Sequence, residues 1–341
     1  MTQSLFDIIV NLITLWPAVL LFVIGGVACL KYGADYLVNG ASNIGLRFGM
    51  SAALTGLTIV AFGTSAPELV VSILTAIQGQ PELCLGNVVG SNIANTALIL
   101  GGTALITPLI VPTRAIRTEL LLSAVCMVAV WLFAFTGLTL GRVEGLVLLV
   151  IFGVWMGTLI RLATRTAATT RALGLDTQTE EPVFHKRSLG VDIGLVSVGL
   201  AGLVFGADSL VCGAVATARA LQVPDVVVGL TVVAGGTSLP EFAVCLVAAF
   251  KHQAEITLGN ILGSNIFNAL LILGTCALIQ PISFAMPGTK ATLWVDMPVC
   301  ILLSAVLIPM LYRKGILGRK GGFLLLMAYV TYIVSLILRN S

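Results

Sequence analysis

Charge is what this sequence has least of. Asp, Glu, Lys and Arg make up 10% of its 341 residues, only two residues are histidine, and 58% are hydrophobic. A soluble domain carries roughly 25% charged residues. No water-soluble fold could hide so much apolar surface, so the chain is read as a polytopic membrane protein. Its basic residues are scattered between apolar segments, with no basic domain and no groove-reading motif, which excludes nucleic acid as a partner. A GxxxxGK[ST] loop is also missing, which removes ATP as an energy source. The seven cysteines (Cys29, Cys84, Cys126, Cys212, Cys245, Cys276 and Cys300) stand singly in apolar sequence without CxxC pairs or nearby histidines. That pattern excludes a thiolate metal centre or a disulfide framework and leaves them as small buried hydrophobes.

What is present is a succession of hydrophobic stretches. Spans are expected at 17–38, 51–78, 83–110, 119–137, 143–162, 190–212, 226–250, 256–280, 293–312 and 321–338. Each is near or above the ~20 residues that cross a bilayer as a helix, and the short alternating strands of a β-barrel are absent. The expected fold class is therefore an all-α membrane protein with ten transmembrane helices. Residues 1–16 lack the basic start and small-residue cleavage site of a secretory signal. Leu5, Ile8, Ile9, Leu12 and Trp16 recur at helical spacing, so 1–16 reads as an interfacial segment leading into the first span. The only long polar stretch, 164–189, carries Asp176, Glu180, Glu181 and Pro182 and reads as a linker between a first module at 17–163 and a second at 190–341.

Lys and Arg favour the cytoplasmic side of membrane proteins. With both termini outside, the inner segments hold Arg47, Arg114, Arg117, Arg161, Arg165, Arg171, Lys186, Arg187, Lys251, Arg313, Lys314, Arg319 and Lys320. The outer side keeps Arg142, Arg219, Lys290 and Arg339, thirteen against four. The 164–189 loop is thereby placed in the cytoplasm.

The two modules are copies. Gly63–Asn95 reads GTSAPELVVSILTAIQGQPELCLGNVVGSNIAN, and Gly236–Asn268 reads GTSLPEFAVCLVAAFKHQAEITLGNILGSNIFN. An offset of 173 relates Glu68 to Glu241, Asp35 to Asp208, Thr58 to Thr231, Asn87 to Asn260, Ser91 to Ser264 and Pro108 to Pro281, without a gap. Five spans per copy is an odd number, so the second copy enters from the opposite side. The result is an inverted repeat, whose binding site falls near the midplane between the halves.

Within each copy the motif is built to disturb a helix. Pro67 has no amide hydrogen, so the Gly63 carbonyl loses its helical partner, and Pro240 does the same to Gly236. Gly63, Thr64 and Ser65 are themselves poor helix formers. Freed carbonyls at membrane depth are tolerated only where something uses them, and Glu68 and Glu241 directly follow the breaks. On the next helix Asn87, Ser91 and Asn95 are four apart and share a face, as do Asn260, Ser264 and Asn268. Gly86 and Gly90, like Gly259 and Gly263, are spaced to let helices approach closely. Carboxylates, hydroxyls, amide oxygens and free carbonyls form an oxygen-only donor set suited to Ca²⁺ or Na⁺. Two ionised glutamates are neutralised by one Ca²⁺ or by two Na⁺. The plainer reading is a protonated or hydrogen-bonded glutamate that merely holds helices together; two acids at repeat-related positions, each behind a proline, favour a transport site.

The pairing of GTSAPE with GNVVGSNIAN, and of GTSLPE with GNILGSNIFN, resembles the two α-repeats of the cation/calcium exchanger superfamily, and within it the prokaryotic sodium/calcium exchangers. The resemblance covers nearly the whole chain. It implies ten helices in two inverted halves, in a prokaryotic inner (plasma) membrane, with ions held by helices two, three, seven and eight. Glu68 and Glu241 would hold Ca²⁺ with the carbonyls of Thr64 and Thr237. Ala61, Ser65, Ser91, Ala234, Ser238 and Ser264 would help form flanking Na⁺ sites, and Asn95 and Asn268 would occupy central polar positions. It further implies that helices one and six slide across the rest to alternate access. Some relatives, including the potassium-dependent branch, carry Asp where this chain has Asn268, which argues against K⁺ co-transport.

The leading expectation is a secondary antiporter exchanging Na⁺ for Ca²⁺, with those ions as substrates, no bound cofactor and no protein partner implied. The alternative on the same fold is exchange of Ca²⁺ or another divalent cation for H⁺; a cation channel is a more distant one. An intramembrane enzyme using Ser65 or Ser238 lacks a base, because His185 and His252 fall in loops. Asp35 and Asp208 read as helix-terminus or gating contacts, and Glu82 and Glu255 as carboxylates favoured at helix starts.

Overall fold

The structure, a computed structural model, describes residues 5–135, 137–172, 187–220, 236–285, 287–312 and 315–340. It is helical throughout apart from four two-residue strands. Helix α1 (Leu5–Arg47) is followed by a broken span, α2a (Ala52–Thr64) and α2b (Ala66–Ile77), then by α3 (Pro81–Ile106), α4 (Thr113–Phe135) and α5 (Arg142–Ala172). The second copy supplies α6 (Leu189–Ala220), α7 (Leu239–Phe250), α8 (Ala254–Ile279), α9 (Thr289–Tyr312) and α10 (Arg319–Asn340). Eight described helices are long and apolar enough to span a membrane, and the bent α2a–α2b pair makes a ninth. Of the expected span 226–250 only 236–250 lies among the described residues, with Leu239–Phe250 a shorter apolar helix, so nine candidate spans are described.

Several helix boundaries differ from expectation. Residues 5–16 are helical and run without a break into the first span as part of one 43-residue helix. At its other end α1 runs nine residues past the expected boundary, through the polar sequence NGASNIGLR. Tertiary contacts hold that extension helical. Asn43 donates to Asp192 on α6 at 3.1 Å, and Arg47 donates to the Arg187 carbonyl at 2.6 Å and pairs with Asp192 at 3.4 Å. Likewise α5 continues to Ala172, so the linker expected from 164 begins as helix.

The two copies interlock. Helix α1 packs along α6, α3 along α10 and α5 along α8, each contact joining one copy to the other. Strand β1 (Leu109–Ile110) pairs antiparallel with β4 (Ile316–Leu317), and β2 (Thr139–Leu140) with β3 (Ile282–Ser283). A strand of one copy thus always meets a strand of the other, as an inverted repeat demands. One apolar core draws on both copies, from Ala53 to Leu325, with α3 and α8 at its centre.

Glycine sets the close approaches. On α1, Gly26 and Gly33 lie against Gly206 and Gly199 of α6, where an added Cβ would fall 2.9 Å and 2.8 Å from the facing carbonyl oxygens. The four positions are two repeat-related pairs, so one backbone-to-backbone seam is built from both copies. On α8, Gly259 and Gly263 let α2a in: a Cβ at either would meet the Ala53 or Leu57 carbonyl at 2.5 Å or 2.7 Å. A Cβ at Gly86 or Gly90 would meet nothing among the described residues within 4 Å; the repeat-equivalent partners at 226–234 lie outside the described residues.

Candidate ion site

The break arises where the chemistry requires it. Helix α2 bends by 44° between Ala52–Thr64 and Ala66–Ile77. Ser65, between the halves, adopts φ −84° and ψ 0°, and Ser238 before α7 adopts φ −92° and ψ 3°. Both copies therefore put the serine in the sparsely populated bridge region, with a proline at the start of the new helix. Glu68 and Glu241 sit in the first turn that follows, each 1% exposed.

The two carboxyls lie within electrostatic reach of each other, and Thr64 and Ser65 lie beside the Glu241 carboxyl across the interface between copies. Neither glutamate forms an ion pair among the described residues. An uncompensated buried charge is strongly destabilising, so a cation or a proton must complete this pair.

Around them stand buried oxygens that make no hydrogen bond of full geometry. Among buried side-chain atoms without a hydrogen-bond partner are Ser65 Oγ, Glu68 Oε2, Asn95 Oδ1, Thr237 Oγ1, Ser238 Oγ, Glu241 Oε2, Ser264 Oγ and Asn268 Oδ1. These are eight of the thirteen such atoms in the described residues, and six of them are three repeat-related pairs. Buried polar groups are normally satisfied, so a symmetric cluster of orphaned oxygens marks a place where something else supplies the bond. Ser91 is also buried, at 5% exposure. Ala61 is fully buried, but its carbonyl already accepts from Ser65 N–H at 3.0 Å and from the Thr64 hydroxyl at 3.4 Å. Ala234, its repeat partner, lies outside the described residues.

The amides at 95 and 268 are set by a local change of helix. Ala94–Ile99 in α3 and Phe267–Ile272 in α8 are π-helical turns at repeat-related positions, each with its asparagine second. Such turns occur often at functional sites because the wider turn re-aims side chains. Helix α2b packs on the second π turn and α7 on the first, so each glutamate helix faces the asparagine of the other copy.

Two further asparagines complete the cluster, and the helical face of Asn87, Ser91 and Asn95 did not include them. Asn268 donates to Asn92 Oδ1 at 2.9 Å, and Asn95 donates to Asn265 Oδ1 at 3.2 Å. The signal that could have found them is the GSN tripeptide present in both copies. Asn87 and Asn260 take a different part, tying helices by donating to Ser72 Oγ at 3.0 Å and to Cys245 Sγ at 3.5 Å. Thr64 donates to Asn260 at 3.1 Å whereas its counterpart Thr237 has a free hydroxyl, so the two halves differ locally.

At the periphery Asp35 of α1 pairs with Lys251 after α7 at 2.7 Å, and Lys251 also donates to Asn39 at 3.0 Å. Asp208 is exposed. Glu82 and Glu255 lie in the first turns of α3 and α8. All described cysteines are free thiols, and no cluster of three His, Cys, Asp or Glu exists among the described residues. The cluster at Glu68 and Glu241 is thus two acids among neutral oxygens.

Interlocked inverted repeats, broken helices and a buried oxygen cluster between the copies define a polytopic membrane ion transporter. The sodium/calcium exchanger protein family model matches residues 18–161 and 191–338, one match per copy. The chain belongs to that family. It is 32% identical to the sodium/calcium exchanger MaX1 of Methanosarcina acetivorans, over 91% of this chain and 96% of MaX1. It is 31% identical to the inner membrane protein YrbG of Escherichia coli K12, over 91% and 94%. Its fold matches the sodium-calcium exchanger NCX_Mj with a TM-score of 0.76 at 29% identity, covering 93% of this chain and 98% of that one.

Proposed function

We propose that this chain exchanges Na⁺ for Ca²⁺ by alternating access, holding both at the cluster around Glu68 and Glu241. The observation that carries the reading is the set of orphaned oxygens on and around the two unpaired, buried carboxyls. A hard cation stripped of water needs six to eight oxygens at close range, and carboxylates with neutral oxygens suit Ca²⁺. Two negative charges are balanced by one Ca²⁺ or two Na⁺; a third Na⁺ would leave the site positive and make exchange electrogenic. Candidate Ca²⁺ ligands are Glu68, Glu241 and the carbonyls of Thr64 and Thr237. Ser65, Ser91, Ser238, Ser264, Ala61 and Ala234 are candidates for the flanking Na⁺ positions, and Asn95 and Asn268 for the centre. The membrane proposed is the prokaryotic plasma membrane, with both termini outside and 164–189 in the cytoplasm.

Replacing either acid tests this. Glu68→Gln or Glu241→Gln keeps the shape and removes one of the two charges. Each variant is expected to insert and purify normally and to lose Ca²⁺ uptake into proteoliposomes by at least about a hundredfold, since removing a charged ligand of a desolvated cation costs several kcal/mol. Ordinary uptake by either would refute the site.

A further inference from the structure

We propose that Asn92 and Asn265 are positioning residues that aim the ligand oxygens of Asn268 and Asn95, each acting across the interface between the two copies. The proposal rests on the reading of Asn95 and Asn268 as ion ligands. It adds two residues that touch no ion.

The geometry is a crossed pair. Asn268 Nδ2 donates to Asn92 Oδ1 at 2.9 Å, and Asn95 Nδ2 donates to Asn265 Oδ1 at 3.2 Å. All four residues are at most 2% exposed. The supporting amides are themselves pinned. Asn92 Nδ2 donates to the Asn265 carbonyl and to Met127 Sδ, both at 3.3 Å. Asn265 Nδ2 donates to Thr96 Oγ1 at 3.0 Å. Because an amide is planar, fixing its nitrogen fixes the direction of its oxygen. With their nitrogens held, Asn95 and Asn268 present Oδ1 atoms to which nothing in the protein donates a hydrogen bond.

That asymmetry separates positioning from plain helix–helix adhesion. Four buried amides holding helices together would satisfy their carbonyls as well as their nitrogens, as buried polar networks do. Here the carbonyls of Asn92 and Asn265 are consumed as acceptors, and those of Asn95 and Asn268 are left free at both repeat-related positions. The one hydrogen bond that each supporting oxygen accepts comes from the amide it turns, which assigns Asn92 and Asn265 to orientation. Partners that orient a ligand typically contribute 10–100-fold to metal affinity. Since each copy orients the ligand of the other, shifting one half against the other re-aims both central oxygens together.

Asn92→Leu and Asn265→Leu remove the acceptor while keeping the branch at Cγ, with Asn92→Ser and Asn265→Ser as smaller variants should leucine prevent folding. Equilibrium ⁴⁵Ca²⁺ binding is measured on the monodisperse, detergent-purified full chain, together with the ion-free melting temperature. The expected result is binding weakened about 10–100-fold in the folded protein, with Asn95→Leu weakened at least as much. A merely structural role would lower the melting temperature and leave affinity unchanged in the fraction that folds. Unchanged affinity in folded Asn92 and Asn265 variants, with Asn95→Leu weakened, would overturn the positioning role alone. Unchanged affinity in Asn95→Leu as well would overturn the site reading and this proposal with it.

Discussion

A buried hydroxyl with no partner costs a protein about 1–3 kcal/mol, and this chain keeps such groups at Ser65, Ser238, Ser264 and Thr237. They are destabilising unless an ion completes them. The expected outcome of Ser238→Ala is therefore two opposed changes: the ion-free melting temperature rises, and Ca²⁺ or Na⁺ binding weakens. Thermal melts with and without ions read both on one sample. A fall in ion-free stability would assign Ser238 an ordinary structural role instead. At this scale the acids, serines and prolines were legible, because each breaks a rule of helical or membrane sequence. Asn92 and Asn265 were not. Each lies one residue beyond a serine on the recognised polar face, roughly 100° round the helix by the 3.6-residue period, and its meaning depends on a partner in the other copy.

Helices here take their ends and bends from packing as much as from composition. Asn39–Arg47 would read as a loop, yet it is helical because Asp192 and the Arg187 carbonyl satisfy Asn43 and Arg47. The π turns at Ala94–Ile99 and Phe267–Ile272 leave no mark in apolar periodicity, so they too were invisible. The broken helix was visible because Pro67 cannot donate a hydrogen bond. A sharper test of packing lies in neighbouring glycines of α1. A Cβ at Gly26 would come 2.9 Å from the Gly206 carbonyl oxygen and 3.0 Å from Leu210 N, backbone atoms that cannot swing aside. One residue earlier, a Cβ at Gly25 meets nothing among the described residues within 4 Å. Gly26→Ala is expected to destabilise by about 1–3 kcal/mol, as overpacking does. Gly25→Ala should be neutral or stabilising by up to about 1 kcal/mol. Melting temperatures of the two variants check the contrast, and equal effects would deny that the seam is closed backbone to backbone.

For the whole molecule the inverted repeat is the organising fact, and the departures from it carry the direction of bias. If the copies were identical, the inward- and outward-open states would be mirror arrangements of equal energy. They are not identical: Lys251, paired with Asp35 at 2.7 Å, corresponds to Gln78 in the first copy, where no such pair can form. This contact fastens α1 to the end of α7 on the side that Lys and Arg assign to the cytoplasm. Both side chains are 30% exposed, so the pair contributes at most about 1 kcal/mol. Lys251→Gln should then shift the ratio of half-saturating Ca²⁺ measured from the two membrane faces by no more than about fivefold, the factor equivalent to 1 kcal/mol. A shift of a hundredfold would show that the pair is worth far more than an exposed ion pair.

The glycine seam between α1 and α6 brings their backbones together, so that pair of helices is suited to moving as one body. Such motion would expose the breaks at Ser65 and Ser238 to one side of the membrane and then the other. The driving force proposed is the Na⁺ gradient. Purified protein in vesicles loaded with Na⁺ is diluted into Na⁺-free buffer containing ⁴⁵Ca²⁺, with pH equal on both sides. Rapid, saturable Ca²⁺ uptake that disappears when Na⁺ is balanced is the predicted result. Uptake that ignores the Na⁺ gradient and follows only an imposed pH gradient would contradict it.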